Sequence, residues 1–199
     1  MSRLQSVWVI IAGTLLISGT VFAQEEETSK NEFTIQAFGS FVKSTTNNGV
    51  SQSSTNSGGV LGSYRFFFNQ YNGVEANYGY SLNSQNFGLA SGPFGVKTYS
   101  SEATAAYVFR YPLKHWTPFL LAGTGALVFD PSTAGISSQA KAAFVYGAGA
   151  DISLAKHWFT RVEYRGFVYN SPDFGLAELA GTSRITHRAE PSIGFGYRF

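Results

Sequence analysis

The chain closes on "EPSIGFGYRF", Glu190 to Phe199, and its last residue is aromatic. Ile193, Phe195, Tyr197 and Phe199 recur at every second position, the period at which a β-strand returns to one face. Glu190, Ser192 and Arg198 hold the opposite phase. Chain ends are normally polar and frayed. This one has the pattern of a strand that must be paired, with one face turned to an apolar medium.

The same alternation runs back through the chain. It predicts eight strands, over 32–43, 57–68, 73–83, 97–110, 117–129, 138–153, 158–169 and 185–199. Short breakers separate some of them: "NQYNG" at 69–73, "YPLKHW" at 111–116 and "LAKHW" at 154–158. The other connections, 44–56, 84–96, 130–137 and 170–184, are long and polar or carry Gly and Pro. "KHW" occurs at Lys114–Trp116 and again at Lys156–Trp158, 42 residues later, and the same step backwards reaches the starts of the third and first strands. A period of one hairpin plus one loop implies four up-and-down hairpins. The segment 44–56 has Val50 as its only hydrophobe and is expected to be mobile. "SPDFGLAELAG" in 170–184 offers Ser171 as a cap, Pro172 for the first turn and Gly181 as a stop, and predicts about two turns of helix.

Charge decides which face meets what. Arg65, Glu75, Glu102, Arg110, Lys141, Asp151, Arg161, Glu163, Arg165, Arg188, Glu190 and Arg198 all fall in the polar phase of their strands. The other phase carries Val60, Tyr64 and Phe66, then Val74, Tyr78 and Tyr80, Tyr107 and Phe109, Phe144 and Tyr146, and Val162 and Tyr164. In 117–129 the apolar set is Phe119, Leu121, Leu127 and Phe129. A soluble barrel would put grease inside and charge in water. Strands with a continuous apolar face and opposed charges behind it suit a barrel in a bilayer, apolar side to lipid and polar side to the lumen. A lipid-facing Arg would cost about 2–4 kcal/mol at mid-membrane, which explains the segregation. Phe33, Phe68, Tyr107, Phe109, Phe119, Trp158 and Phe199 at strand ends form an expected aromatic girdle, and Trp116 and Trp158 are the expected anchors on the side of the short turns.

With these residues in view, "IGFGYRF" resembles the C-terminal β-signal of bacterial outer-membrane proteins, with Phe195, Tyr197 and Phe199 as its assembly signal. The whole chain beyond the leader resembles the small eight-stranded OmpA/OmpX-type barrels. The resemblance implies an all-β, eight-stranded antiparallel up-and-down transmembrane barrel with short periplasmic turns and long outer loops. It implies residence in the bacterial outer membrane, contact with outer-membrane lipids and lipopolysaccharide, and handling by periplasmic chaperones and the barrel-assembly machinery. Pro191 departs from the pattern: it lacks a donor inside the last strand, so a bulge is expected there.

The ends and the composition narrow the function. Arg3, the apolar run Val7–Phe22 and the small residues Val21 and Ala23 predict a signal peptide over 1–23, cleaved before Gln24, then an acidic leader over 24–31 and the barrel domain over 32–199. The chain has no Cys, which excludes disulfides and a cysteine-linked lipid anchor. A net charge of +2, without a basic run, argues against nucleic acid. No cofactor or metal motif is present, and a monomer is expected. His115 and His157 fall in periplasmic turns. His187 lies near the outer rim in the lipid-facing phase, without a Ser two positions away, so no catalytic residue is assigned and the chain is not expected to be an enzyme.

Eight strands enclose a bore that side chains can fill. Glu102, Glu163, Arg165, Arg188 and Glu190 are expected to form one ion-pair cluster that plugs the lumen, with a structural or surface-interaction role for the protein. A narrow porin-like channel is the alternative, and a lipid A-modifying enzyme a more remote one. Lys43, Lys97 and Arg184, at outer strand ends, are candidate contacts for lipopolysaccharide phosphates.

Overall fold

The computed structural model describes residues 29–43, 45–47, 50–54, 57–89, 92–132, 138–171 and 185–199, with the backbone alone for those within 45–54 and 83–97. Ten strands occur in it: β1 (Asn31–Val42), β2 (Thr45–Asn47), β3 (Val50–Ser54), β4 (Ser57–Phe67), β5 (Asn72–Leu89), β6 (Gly92–Arg110), β7 (Trp116–Pro131), β8 (Gln139–Ser153), β9 (Trp158–Asn170) and β10 (Ile185–Arg198). Eight of them, all but β2 and β3, pair antiparallel around a closed ring in chain order, and β10 returns to β1. Closure leaves no edge in the ring, as a bilayer requires.

The terminal motif makes that closure. Asn31 and Phe199 exchange both backbone hydrogen bonds, at 3.1 and 3.0 Å. Ile193, Phe195, Tyr197 and Phe199 are exposed on the outer wall, beside Phe33 and Ile35 of β1. The inward glycines between them make room: a β-carbon at Gly196 would run into the Phe159 ring. The repeated "KHW" turns also have a physical reading. The carbonyl of His115 accepts from Ser153 N–H and that of His157 from Arg198 N–H, so each turn ties down the end of a later strand. Trp158 packs edge-on against Tyr197 at 5.1 Å, and Trp116 is likewise exposed on the belt.

Four expectations need correction. First, 84–96 is not a loop: the β5–β6 ladder continues to Leu89↔Gly92. Gly88 and Pro93 look like breakers, yet between them and the barrel the chain has strand-forming Phe87, Phe94 and Val96. Second, 44–56 contains β2 and β3, and β3 pairs along β5 from Ser51↔Gly88 to Ser54↔Gln85. Once β5 projects past the ring, its free backbone groups are a template for that pairing.

Third, the phase of β7 is inverted. Phe119, Leu121, Leu127 and Phe129 point inward and are 3%, 4%, 0% and 1% exposed, while Leu120 and Val128 face outward. Both faces of this strand are apolar, and its one charge, Asp130 at the outer end, faces outward and does not mark the lumen side. Phe119 therefore leaves the girdle.

Fourth, Pro191 makes no bulge. The β1–β10 register is the same on both sides of it, from Phe38↔Ser192 to Phe41↔Ala189, and only the pairs at Gly39 and Ser40 are missing. Antiparallel pairs alternate between hydrogen-bonded and non-bonded. Asn31/Phe199 sets odd positions of β1 as bonded, so Pro191 falls where β10 would donate to Gly39. Toward β9 it occupies a non-bonded position, and the pairing Pro191↔Tyr164 continues. Losing one donor parts two strands locally without costing a register shift. The expected helix within 170–184 lies outside the described residues.

Candidate functional site

The lumen holds two sets of interlocked charges, stacked along the barrel axis. The set nearer the short turns comprises Glu32, Arg65, Glu75, Arg110, Asp151, Arg161, Glu163 and Arg198. Strand alternation delivers them from seven strands to one level, because each lies within a few residues of its strand's end at that side. Glu32 accepts from Arg110 Nη1 at 2.7 Å, Arg161 Nη2 at 2.9 Å and Arg198 Nε at 2.9 Å. Arg161 grips Asp151 with Nε and Nη2, at 2.6 and 2.8 Å. Arg65 pairs tightly with Glu75, whose other oxygen accepts from Asn77 at 2.7 Å. Aromatic rings from the lumen face cover the guanidinium planes: Phe67 lies 3.4 Å from Arg110, Phe119 3.9 Å from Arg65 and Phe159 4.4 Å from Arg198.

The second set lies farther along the axis and has four members. Arg165 Nη2 donates to Glu102 Oε1 at 2.6 Å and to Glu190 Oε2 at 2.7 Å. Arg188 Nη2 pairs closely with the remaining oxygen of each carboxylate. Arg188 Nη1 also reaches Ser100 Oγ at 3.3 Å. Glu102 fits because Gly79 faces it: a β-carbon there would lie 2.7 Å from the Glu102 side chain. Phe167 lies beneath both guanidinium groups, and the buried stack of Phe129 on Tyr169, 5.9 Å between ring centres, lies beyond them.

The structure thus joins Glu102, Arg165, Arg188 and Glu190 and leaves Glu163 out of that group. Glu163 accepts from Gln36 Nε2 at 3.2 Å and has Arg65 Nη2 at 3.8 Å. Sequence reasoning misses Glu32, which stands at the boundary of the leader although it shares its phase with Thr34 and Gln36. It also misses the apolar lining, although Phe67, Phe159 and Phe167 share the phase of Arg65, Arg161 and Arg165 on their strands. Arg65, Arg161, Arg165 and Arg188 are each 1% exposed or less. Lys141 is half-buried toward the other end of β8 and takes part in neither set.

The remaining predicted residues are dispersed. Lys43 is exposed just past β1, Lys97 is placed by its backbone opposite Ser84, and Arg184 lies outside the described residues. His157 Nδ1 contacts the Arg198 carbonyl at 3.0 Å, and His187 Nε2 contacts Tyr146 Oη at 2.7 Å. Among the described residues, no group of three or more His, Cys, Asp or Glu is placed to hold a metal ion.

The sequence profile of the outer membrane protein β-barrel domain matches residues 9–199. The fold is similar to that of OprG from Pseudomonas aeruginosa, with a TM-score of 0.61 and 14% identity over 86% of this chain and 97% of that one. Ail, the attachment invasion locus protein of Yersinia pestis, aligns with a TM-score of 0.54 and 20% identity over 86% of this chain and 99% of that one. Neisserial surface protein A gives 0.53 and 15%, over 84% and 97%. Comparison with curated protein sequences gives no match.

Proposed function

The chain belongs to the outer membrane protein β-barrel domain family, and on that premise we propose that it is a non-conducting barrel that displays a surface platform, with no enzymatic activity. The observation that carries the plug is the interlocking of six arginines with six carboxylates across the bore. A conducting pore needs wall charges that face water and bind ions only weakly. Here the charges bind each other, cancel in sign, and are packed against rings.

The platform is the projection of β5 and β6 past the ring, flanked by β2 and β3. Its sequence is polar through Gln52, Ser53, Ser54, Asn83, Gln85 and Asn86. Such strands suit water and contact with a partner beyond the apolar belt. We infer that the protein is exported by a cleaved signal at 1–23, escorted by periplasmic chaperones, inserted by the barrel-assembly machinery through Phe195, Tyr197 and Phe199, and monomeric among lipids and lipopolysaccharide.

Planar-bilayer recording tests the plug. Reconstituted protein is expected to give no steady single-channel current; large, stable currents would make it a narrow porin-like channel instead. Deleting Phe199 tests the assembly signal. It removes the partner of Asn31, and the folded, heat-modifiable species is expected to fall sharply while export continues.

A further inference from the structure

The outer wall has a seam between β1 and β10 with features that neither the plug nor the platform uses. Where Pro191 fails to donate, the strands part over a groove of about 410 Å³ lined by Ala37, Phe38, Gly39, Pro191, Ser192 and Ile193. Ala37, Pro191 and Ile193 are exposed there, and the Phe41 ring lies over Gly39 as the outer lip of the groove. The groove lies mid-strand on the lipid side, where its occupant is hydrocarbon.

Four residues along β1 from Gly39, away from the short turns, stands Lys43. Its N–H bonds the His187 carbonyl at 3.0 Å, so the β1–β10 register extends one pair past the strand. Lys43 and His187 are therefore cross-strand neighbours in the same outward phase as the groove. His187 is held in place: Tyr146 reaches over Gly166 on the intervening strand and meets its Nε2 at 2.7 Å, with the rings 6.0 Å apart. That fixes the imidazole and leaves Nδ1 for a second partner. Between the two levels β10 offers the small side chain of Ala189, beside Phe41. Four residues of strand span about 13 Å, within the roughly 15 Å of one hydrocarbon leaflet.

We propose that this seam is a binding site for a phosphorylated, acylated lipid of the outer leaflet. Lys43 and His187 take the headgroup phosphate, and one acyl chain runs past Ala189 into the groove at Gly39 and Pro191. The charge at the outer end and the apolar slot below it match the two parts of one such molecule. Of the three cations expected to meet lipopolysaccharide phosphates, the site takes Lys43, and it adds His187 and the groove. It rests on the membrane placement of the barrel and is independent of whether the lumen conducts.

The test uses the full mature protein in nanodiscs of phosphatidylcholine doped with bis-phosphorylated, hexa-acylated lipid A, read by native mass spectrometry after release. One lipid A is expected to stay bound per barrel. The Lys43→Ala/His187→Ala pair is expected to cut that retention about tenfold, the loss of charge-assisted contacts to a phosphate. Lipid A stripped of its phosphates should be lost to the same degree from the wild type, and inorganic phosphate should not compete. Ala37→Leu, on the lipid face where an added apolar group leaves the wall intact, fills the groove and should weaken retention severalfold. Heat-modifiable migration confirms that each variant is folded, and Lys43→Arg should retain lipid A as the wild type does. Equal retention by the double variant and the wild type, no lipid A retained by the wild type, or displacement by inorganic phosphate alone would overturn the proposal.

Discussion

The two charge sets of the lumen are built from the same chemistry and do different work. The eight-membered set draws on β1, β4, β5, β6, β8, β9 and β10, and through Glu32 with Arg198 it joins the first strand to the last. Phe119 of β7 supplies the ring under Arg65, so every strand of the ring contributes to that level. The four-membered set draws on β6, β9 and β10 alone, and in it each arginine bridges the same two carboxylates. The first is a clamp on barrel closure. The second is a local knot across the bore. A buried ion pair is a weak source of net stability, because desolvation offsets attraction, yet removing one partner strands the other. The cost of a substitution should therefore follow how many partners it deprives of a counter-charge.

Arg161→Met is expected to have the largest effect. It takes a cation from each of Glu32, Asp151 and Glu75, the last at 3.6 Å, and leaves Asp151 with only the looser Arg198 at 3.5 Å and Arg65 at 3.9 Å. A loss of about 3–5 kcal/mol is expected in urea unfolding of the reconstituted protein. Glu190→Ala comes next, at about 3 kcal/mol, since Arg165 and Arg188 then share Glu102 alone. It should open no steady pore, because the two guanidinium groups and the Phe129–Tyr169 stack still fill the bore. An Arg161→Met barrel as stable as the wild type would erase the distinction between clamp and knot. A sharp rise in conductance for Glu190→Ala would turn the knot into a gate.

How far the molecule is legible in its sequence depends on charge. Where a strand carries charges in its middle, as β9 does with Arg161, Glu163 and Arg165, the lumen phase is set by the cost of exposing them to lipid. Where it carries none, as in β7, both phases are apolar and the pattern has no sign. Phe119 is misplaced by sequence for that reason. Glu32 escapes notice because a strand's first residue has only one side of an alternation to support it. Pro191 reads as a register fault because sequence shows a missing donor but not which neighbour needed it. The site's composition is thus largely readable, and its partition into two sets is not, since partition depends on stagger between strands. Counting from strand ends puts Glu163, with Arg165, near the depth of Arg188 and Glu190, but the sheared ring brings Arg65 and Gln36 to Glu163 instead.

Glu163→Gln is therefore the smallest and most discriminating change. Glutamine keeps an oxygen to accept from Gln36 Nε2, and the ion pair it gives up is the 3.8 Å one to Arg65, which retains Glu75. Removing the charge also removes its desolvation cost, so the two effects oppose and the net is expected to stay within about 1 kcal/mol. Glu102→Gln, which leaves two arginines with one shared carboxylate, should cost about 3 kcal/mol by the same measurement. Double-mutant cycles separate the assignments further. Coupling of Glu163 to Arg65 should be about 0.5 kcal/mol, and to Arg165, two residues along the same strand face, smaller. If Glu163→Gln were as damaging as Glu102→Gln, and coupled more strongly to Arg165 than to Arg65, the lumen would hold a single network, and the clamp and the knot would be one device.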